Sequence, residues 1–374
     1  MLARATTAAR TYARALRTLP KDLLLASPPR VRRALGPTFF EEVTPKFLWI
    51  EATSACGNRC KFCSIGLNVP QSRALTPSEL EYALRDPLFR RLRIVVVSGG
   101  EPTLRPDLDK ILTSVHRAVP AARIVLSTSA PLPERVVPVV EAALRAGVRL
   151  EVGVSVDGIG AKHDQMRGVP GLFDKVDQTL RELSALRRAW GSRLRVIVSM
   201  VICDDTVDDV DDVRRYAKSL GASFNPQWYN QAAYYGNVGH DRLTQTTRLL
   251  KLAKKLEPTL LNAFAERWLR GRAPEARCTM LFNACLLKSN GDFVPCFSYW
   301  NDAVGNIRTR TPSQIWSSPR ATEVRTKVMR CDGCLNACGV VWSYDADYLG
   351  RGRFFLRHPR VFAEKVRDFV AAHR

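Results

Sequence analysis

Between residues 46 and 229, six short runs rich in β-branched residues alternate with helical patterns, and this alternation limits the fold more than any other feature of the chain. The runs KFLWIEAT (46–53), RIVVVSG (93–99), ARIVLST (122–128), RLEVGVSV (149–156), RLRVIVSMV (193–201) and ASFNPQWY (222–229) read as strands. Between them, TPSELEYAL offers Thr76 as an N-cap, Pro77 at the first helical position and Glu79 to close a capping box. FDKVDQTLRELSALRRAW puts Phe173, Val176, Leu180 and Leu183 on one stripe. TVDDVDDVRRYAKSL does the same with Val207, Val210, Val213, Tyr216 and Leu220. Six βα units in series imply a parallel sheet buried on both faces, either doubly wound or curled into a barrel. In both architectures the working face is the C-terminal end of the strands.

Two unusual stretches emerge at that rim. EATSACGNRCKFCSIG (51–66) follows the first strand and carries Cys56, Cys60 and Cys63 in a CxxxCxxC spacing; SGGEPTL (98–104) follows the second. Three thiolates leave one coordination position open, which suits a [4Fe–4S] cube with one free iron. A zinc site with a distant fourth ligand is the alternative, although of His116, His163, His240, His358 and His373 only His163 lies near a strand end. Nine of the ten cysteines fall in two tight groups, and Cys203 stands apart. No export signal and no run of 18 apolar residues is visible, so the chain reads as soluble and cytoplasmic, where clustered cysteines bind metal more often than they form disulfides.

These residues carry a resemblance. CGNRCKFC after strand 1, SGGEPTL after strand 2, STSA after strand 3 and SVDG (155–158) after strand 4 together resemble a radical S-adenosylmethionine (radical SAM) enzyme over residues 46 to about 235. The resemblance implies a partial (β/α)6 TIM-type barrel and answers what fills the open iron: in the family it is chelated by SAM. An electron from the cluster then cleaves SAM to a 5′-deoxyadenosyl radical, which abstracts a substrate hydrogen. Carried over by position, Cys56, Cys60 and Cys63 hold the cube and Phe62 lies beside the adenine. Gly99, Gly100 and Glu101 meet the methionyl amino group. Ser127, Thr128 and Ser129 stand where relatives bind the ribose, and Ser155 and Asp157 share that rim. Arg167, in HDQMRGVPGLFDKV (163–176), is expected either to contact SAM or substrate or to form a helix-start salt bridge.

The second cysteine group, Cys278, Cys285, Cys296, Cys331, Cys334 and Cys338, resembles the auxiliary-cluster domains called SPASM and Twitch. The full SPASM pattern has seven cysteines and two extra clusters; this chain has six, with a shortened Cx2Cx3C. The likeness implies one auxiliary [4Fe–4S] cluster on Cys278, Cys296, Cys331 and Cys334, with Cys285 or Cys338 able to replace one of them, and a zinc ribbon as the alternative. An auxiliary cluster facing the barrel mouth favours net oxidation. Sulfatase-maturing members carry an acid after the cysteine matching Cys296; Phe297 departs from that pattern. Cys203, just past strand 5, is either a hydrogen donor of the kind radical epimerases use or an inert packed thiol.

The organisation expected is a basic helical arm (1–45), a radical SAM barrel (46–235), a helical linker (236–275), the auxiliary-cluster domain (276–345) and a C-terminal helix (346–374). Residues 1–36 carry eight Lys/Arg and only one acid, Asp22, so the arm suits an anionic membrane surface, a transit peptide, or packing on the barrel. The whole chain sums to +21, from 57 Lys+Arg against 36 Asp+Glu. That charge either serves solubility or favours anionic partners: a carboxylated or phosphorylated small molecule or glycan-like metabolite, and an acidic flavodoxin or ferredoxin as reductant. Substrate contacts are expected from NPQWYNQAAYYGN (225–237). Maturation of a ribosomally made peptide is the nearest rival, although only 55 residues precede Cys56, too few for a peptide-binding winged helix. Nucleic acid is not expected, since no basic stripe is interleaved with aromatics.

Overall fold

The computed structural model describes residues 21, 35–40, 42–67, 73–257, 259–272, 278–331, 333–346, 354–356 and 359. The expected arm before residue 35, apart from Lys21, and most of the expected C-terminal helix lie outside the described residues. All six sequence-read strands form: β1 Phe47–Thr53, β2 Ile94–Gly99, β3 Arg123–Thr128, β4 Leu150–Ser155, β5 Leu194–Ile202 and β6 Ser223–Trp228. They pair in parallel and in sequential order, with no reversal, which decides against a doubly wound sheet. One inward side chain from each strand, Trp49, Ser98, Ser127, Ser155, Ser199 and Gln227, lines a single cavity of about 320 Å3. The sheet is therefore curled, and because β6 pairs only with β5 and not with β1, it is a partial barrel.

The crossover helices are α1 Pro77–Leu84, α2 Leu108–Ala118, α3 Pro133–Arg145, α4 Ala161–Arg167, α5 Leu172–Trp190 and α6 Val210–Ser219. Thr76 and Glu79 form the expected capping box on α1. On α5 the buried stripe runs through Leu172, Val176, Leu180 and Leu183, with Phe173 packed at its edge. These stripes meet the outward residues of the strands, such as Leu48, Val95, Val152 and Val198, in one continuous core. At the strand N-termini Glu151 turns inward and pairs with Arg195 at 3.0 Å and Arg123 at 3.8 Å, so the barrel floor is ionic.

After β6, within the expected helical linker, come α7 Thr246–Lys255 and α8 Leu260–Leu269. The cysteine-rich part does not stand off as a separate lobe. Its first strand, β7 Ala284–Leu287, pairs in parallel with the free edge of β1, and β8 Asp292–Val294 and β9 Gly305–Asn306 extend the same sheet antiparallel. Helices α9 Pro312–Trp316, α10 Pro319–Met329 and α11 Ala337–Ala346 complete it. Phe40 packs edge-on against Phe282, and the Trp316 indole donates to the Val43 carbonyl, so the chain just before β1 is tied to this extension.

Candidate active site

The loop after β1 carries Cys56, Cys60 and Cys63, and all three line the barrel cavity. Its backbone is fixed on three sides. Arg59 and Lys61 donate to the carbonyls of Arg167 and Met166, and Ser64 donates to that of Tyr235. From β2, Gly100 and Glu101 donate to the carbonyls of Thr53 and Ala55 at 2.8 Å each. That contact explains the two glycines: a Cβ on Gly99 would stand 2.2 Å from the Thr53 oxygen, and one on Gly100 2.3 Å from the Ala55 oxygen. The glycine turn thus seats the cysteine loop as well as lining the cavity. Burial, reinforced by the neighbouring Cys60 and Cys56, pushes the Cys63 thiol up to about 12; burial raises Cys56 and Cys60 as well.

Phe62, Gly99, Gly100, Ser127, Thr128, Ser129, Ser155 and Arg167 all reach the cavity wall. Two expected members do not. Glu101 is 1% exposed, and its carboxylate already accepts from the Thr103 amide and hydroxyl, the Thr128 hydroxyl, and the Ser129 amide and hydroxyl. With five donors in place it serves as the clasp between β2 and β3 rather than as a free partner for an ammonium group. Asp157 is fully buried, pairs with Arg167 at 2.6 Å and accepts from the Val201 amide, so it too lies behind the wall. Cys203 is likewise off the wall. It is fully buried with Met166 and Tyr229, its sulfur 3.6 Å from the Thr206 hydroxyl, the environment of a packed thiol.

The six C-terminal cysteines divide three ways. Cys278, Cys296, Cys331 and Cys334 line one small cavity. Cys338 faces the barrel cavity instead, beside Asn336. Cys285 sits in β7 opposite Leu48, fully buried in the hydrocarbon core, so as a candidate ligand it is corrected to a packing residue. Burial holds the Cys278 thiol far above its ordinary range and pushes Cys296 up to about 11 and Cys334 up to about 12. Among the described residues no three His, Cys, Asp or Glu side chains converge closely enough for a single metal ion. A cube, which takes its thiolates on separate irons, fits thiols spread around a cavity. The two cavities share Phe297 and Asn336 as a common wall.

Sequence reasoning missed parts of this wall. Trp49, from the middle of β1, and Asn336, between two cysteines, line the cavity without any local signal. The stretch 225–237 does supply much of it, including Tyr234 and Asn230. The Tyr234 hydroxyl and the Asn230 amide nitrogen are buried there without a hydrogen-bond partner.

The radical SAM superfamily model matches residues 50–217, and the SPASM model, an iron–sulfur cluster-binding domain, matches residues 278–338. The chain is a radical SAM protein with a C-terminal SPASM domain. Its cofactors are accordingly SAM, a SAM-binding [4Fe–4S] cluster and auxiliary iron–sulfur. This radical SAM protein is similar to the AdoMet-dependent heme synthase of Methanosarcina barkeri, 29% identical over 79% of this chain and 88% of the relative. It is also similar to the pre-heme d1 synthase of Dinoroseobacter shibae, 23% identical over 83% and 81%. Among solved structures it shares a fold with Streptococcus suis SuiB bound to S-adenosylmethionine, with a TM-score of 0.58 and 16% identity over 76% of this chain and 68% of that one. Among the described residues no helix is long and apolar enough to cross a membrane.

Proposed function

We propose that this radical SAM protein is an oxidoreductase that removes hydrogen from an oxygen-bearing small molecule and passes the remaining electron out by way of one auxiliary cluster. The observation that carries the reading is the wall shared by the two cysteine sites, Phe297 and Asn336. A net two-electron oxidation needs an electron acceptor beyond the hydrogen abstraction, and the four-thiol site lies against the cavity where the substrate would sit. Cys56, Cys60 and Cys63 would hold the SAM cluster, and Cys278, Cys296, Cys331 and Cys334 the auxiliary one. When bound, these groups supply one-electron chemistry and the abstracting radical.

The chain's own residues bind, orient and shield. Trp49, Tyr234, Tyr235 and Phe297 pack edge-to-face, tilted or stacked, with centroids 5.0 to 5.9 Å apart, giving the cavity an aromatic side. The hydroxyls of Ser98, Ser127, Ser155 and Ser199 and the amide of Gln227 also line the cavity and can meet oxygen atoms on a ligand. A groove of about 580 Å3 opens beside the cavity at Tyr229 and Asn230, giving room for a large substrate. With relatives named for heme synthesis, a tetrapyrrole is the first substrate to try. An acidic flavodoxin or ferredoxin is the proposed reductant, matched to the +21 charge.

The test is anaerobic reconstitution, an iron count, and addition of SAM and dithionite. About eight irons per chain, for two [4Fe–4S] clusters, with 5′-deoxyadenosine that increases when a carboxylated tetrapyrrole is added, is the expected result. Stimulation by a synthetic peptide instead would move the reading to peptide maturation. About four irons would remove the auxiliary acceptor and the oxidation argument with it.

A further inference from the structure

We infer that Arg167, held by Asp157, is a positioning residue that sets the reduction potential of the three-cysteine cluster. The inference rests on Cys56, Cys60 and Cys63 holding a [4Fe–4S] cluster, and it goes beyond the oxidation reading in assigning a role to a buried ion pair behind that loop. Arg167 ends α4 and is only 8% exposed. Its Nη2 lies 2.6 Å from Asp157, whose other oxygen is fixed by the Val201 amide at 2.8 Å. Its Nη1 lies 3.8 Å from the Cys60 sulfur, and its guanidinium carbon stands 5.4 Å from the centre of the Phe62 ring. The carbonyls of Arg167 and Met166 accept from the backbone amides of Arg59 and Lys61, which ties the helix end to the cysteine loop.

A guanidinium in this setting is permanently charged, and a low-dielectric surround makes its field strong. Its attraction acts on the Cys60 thiol second only to burial, and reaches Cys56 and Cys63 as the smallest of the influences on them. A reduced cluster carries one more negative charge than an oxidised one, so a fixed cation beside a ligand sulfur favours reduction and raises the potential. Asp157 opposes that field while anchoring the cation in place. The pair therefore works as a matched setting: removing either charge moves the potential, in opposite directions.

The experiment is an EPR-monitored redox titration of the reconstituted full chain without SAM, with the auxiliary cluster as internal reference. Arg167→Gln is expected to keep its iron and lower the potential of the three-cysteine cluster, with the auxiliary signal unmoved and Arg167→Lys recovering part of the shift. Asp157→Asn is expected to raise it. Shifts of the same sign, or no shift with iron retained, would overturn the inference. So would an Arg167→Gln protein whose only change is weaker SAM binding. Should Arg167→Gln fail to hold the cluster, Asp157→Asn alone decides: a raised potential supports the inference, and an unchanged or lowered one overturns it. Absence of the three-cysteine cluster from the unsubstituted chain would instead sink the functional reading.

Discussion

A single residue's sequence spacing and its position in the fold make different statements here, and the six C-terminal cysteines are the clearest case. Cys285 has the spacing of a ligand, but it lies on a four-residue strand whose side chains are buried on both faces. Cys285→Ala is expected to cost about 1 kcal/mol through lost packing and to leave the iron content unchanged. Cys278→Ala, which removes a thiol from the shared four-thiol cavity, is expected to lose one cluster's worth of iron and the matching EPR signal. Melting curves and iron assays on the two variants separate packing from ligation. Glu101 teaches the same lesson. Its neighbours in sequence announce a ligand site, whereas the five donors around it come from residues up to 28 positions away and leave no trace in the local pattern.

Among the elements, the strands and the capped helices were legible because their signals are local: period-two and period-3.6 patterns, a capping box, and cysteines at the ends of strands. The glycine turn after β2 was legible as a motif but not in its mechanism. Its Gly99 and Gly100 suit close backbone approach to a ligand, and the structure shows them also as room for the backbone of the cysteine loop. Gly100→Ala would drive a methyl group against the Ala55 carbonyl and is expected to displace the loop. Loss of the three-cysteine EPR signal with the auxiliary signal retained is the expected outcome. The overpacking cost is about 1–3 kcal/mol, readable as a lowered denaturation midpoint. β7 escaped sequence reading because four apolar residues on a strand buried on both faces carry no alternation.

The molecule as a whole is one sheet rather than two lobes, and the join between its parts contains a buried acid. Glu51 on β1 accepts from the Ser289 amide and hydroxyl just beyond β7. Burial raises its carboxyl above the ordinary range, against the pull of Ser289 and Lys288. The folded chain therefore keeps this proton to higher pH than the unfolded chain does, so stability is lost as pH rises through the folded titration. Glu51→Gln, which retains an acceptor for Ser289, is expected to flatten that loss and raise the melting temperature at neutral pH, as thermal melts across the weakly acidic range would show. Ser289 lies 238 positions after Glu51, so the edge of β1 that β7 covers is left bare while the intervening chain is being translated. At about 5–20 residues per second that interval lasts roughly 10–50 s. Throughout it a row of unsatisfied backbone groups faces the crowded cytosol of any expression host. Recoverable yield should therefore track chaperone capacity and translation speed rather than the robustness of the finished protein.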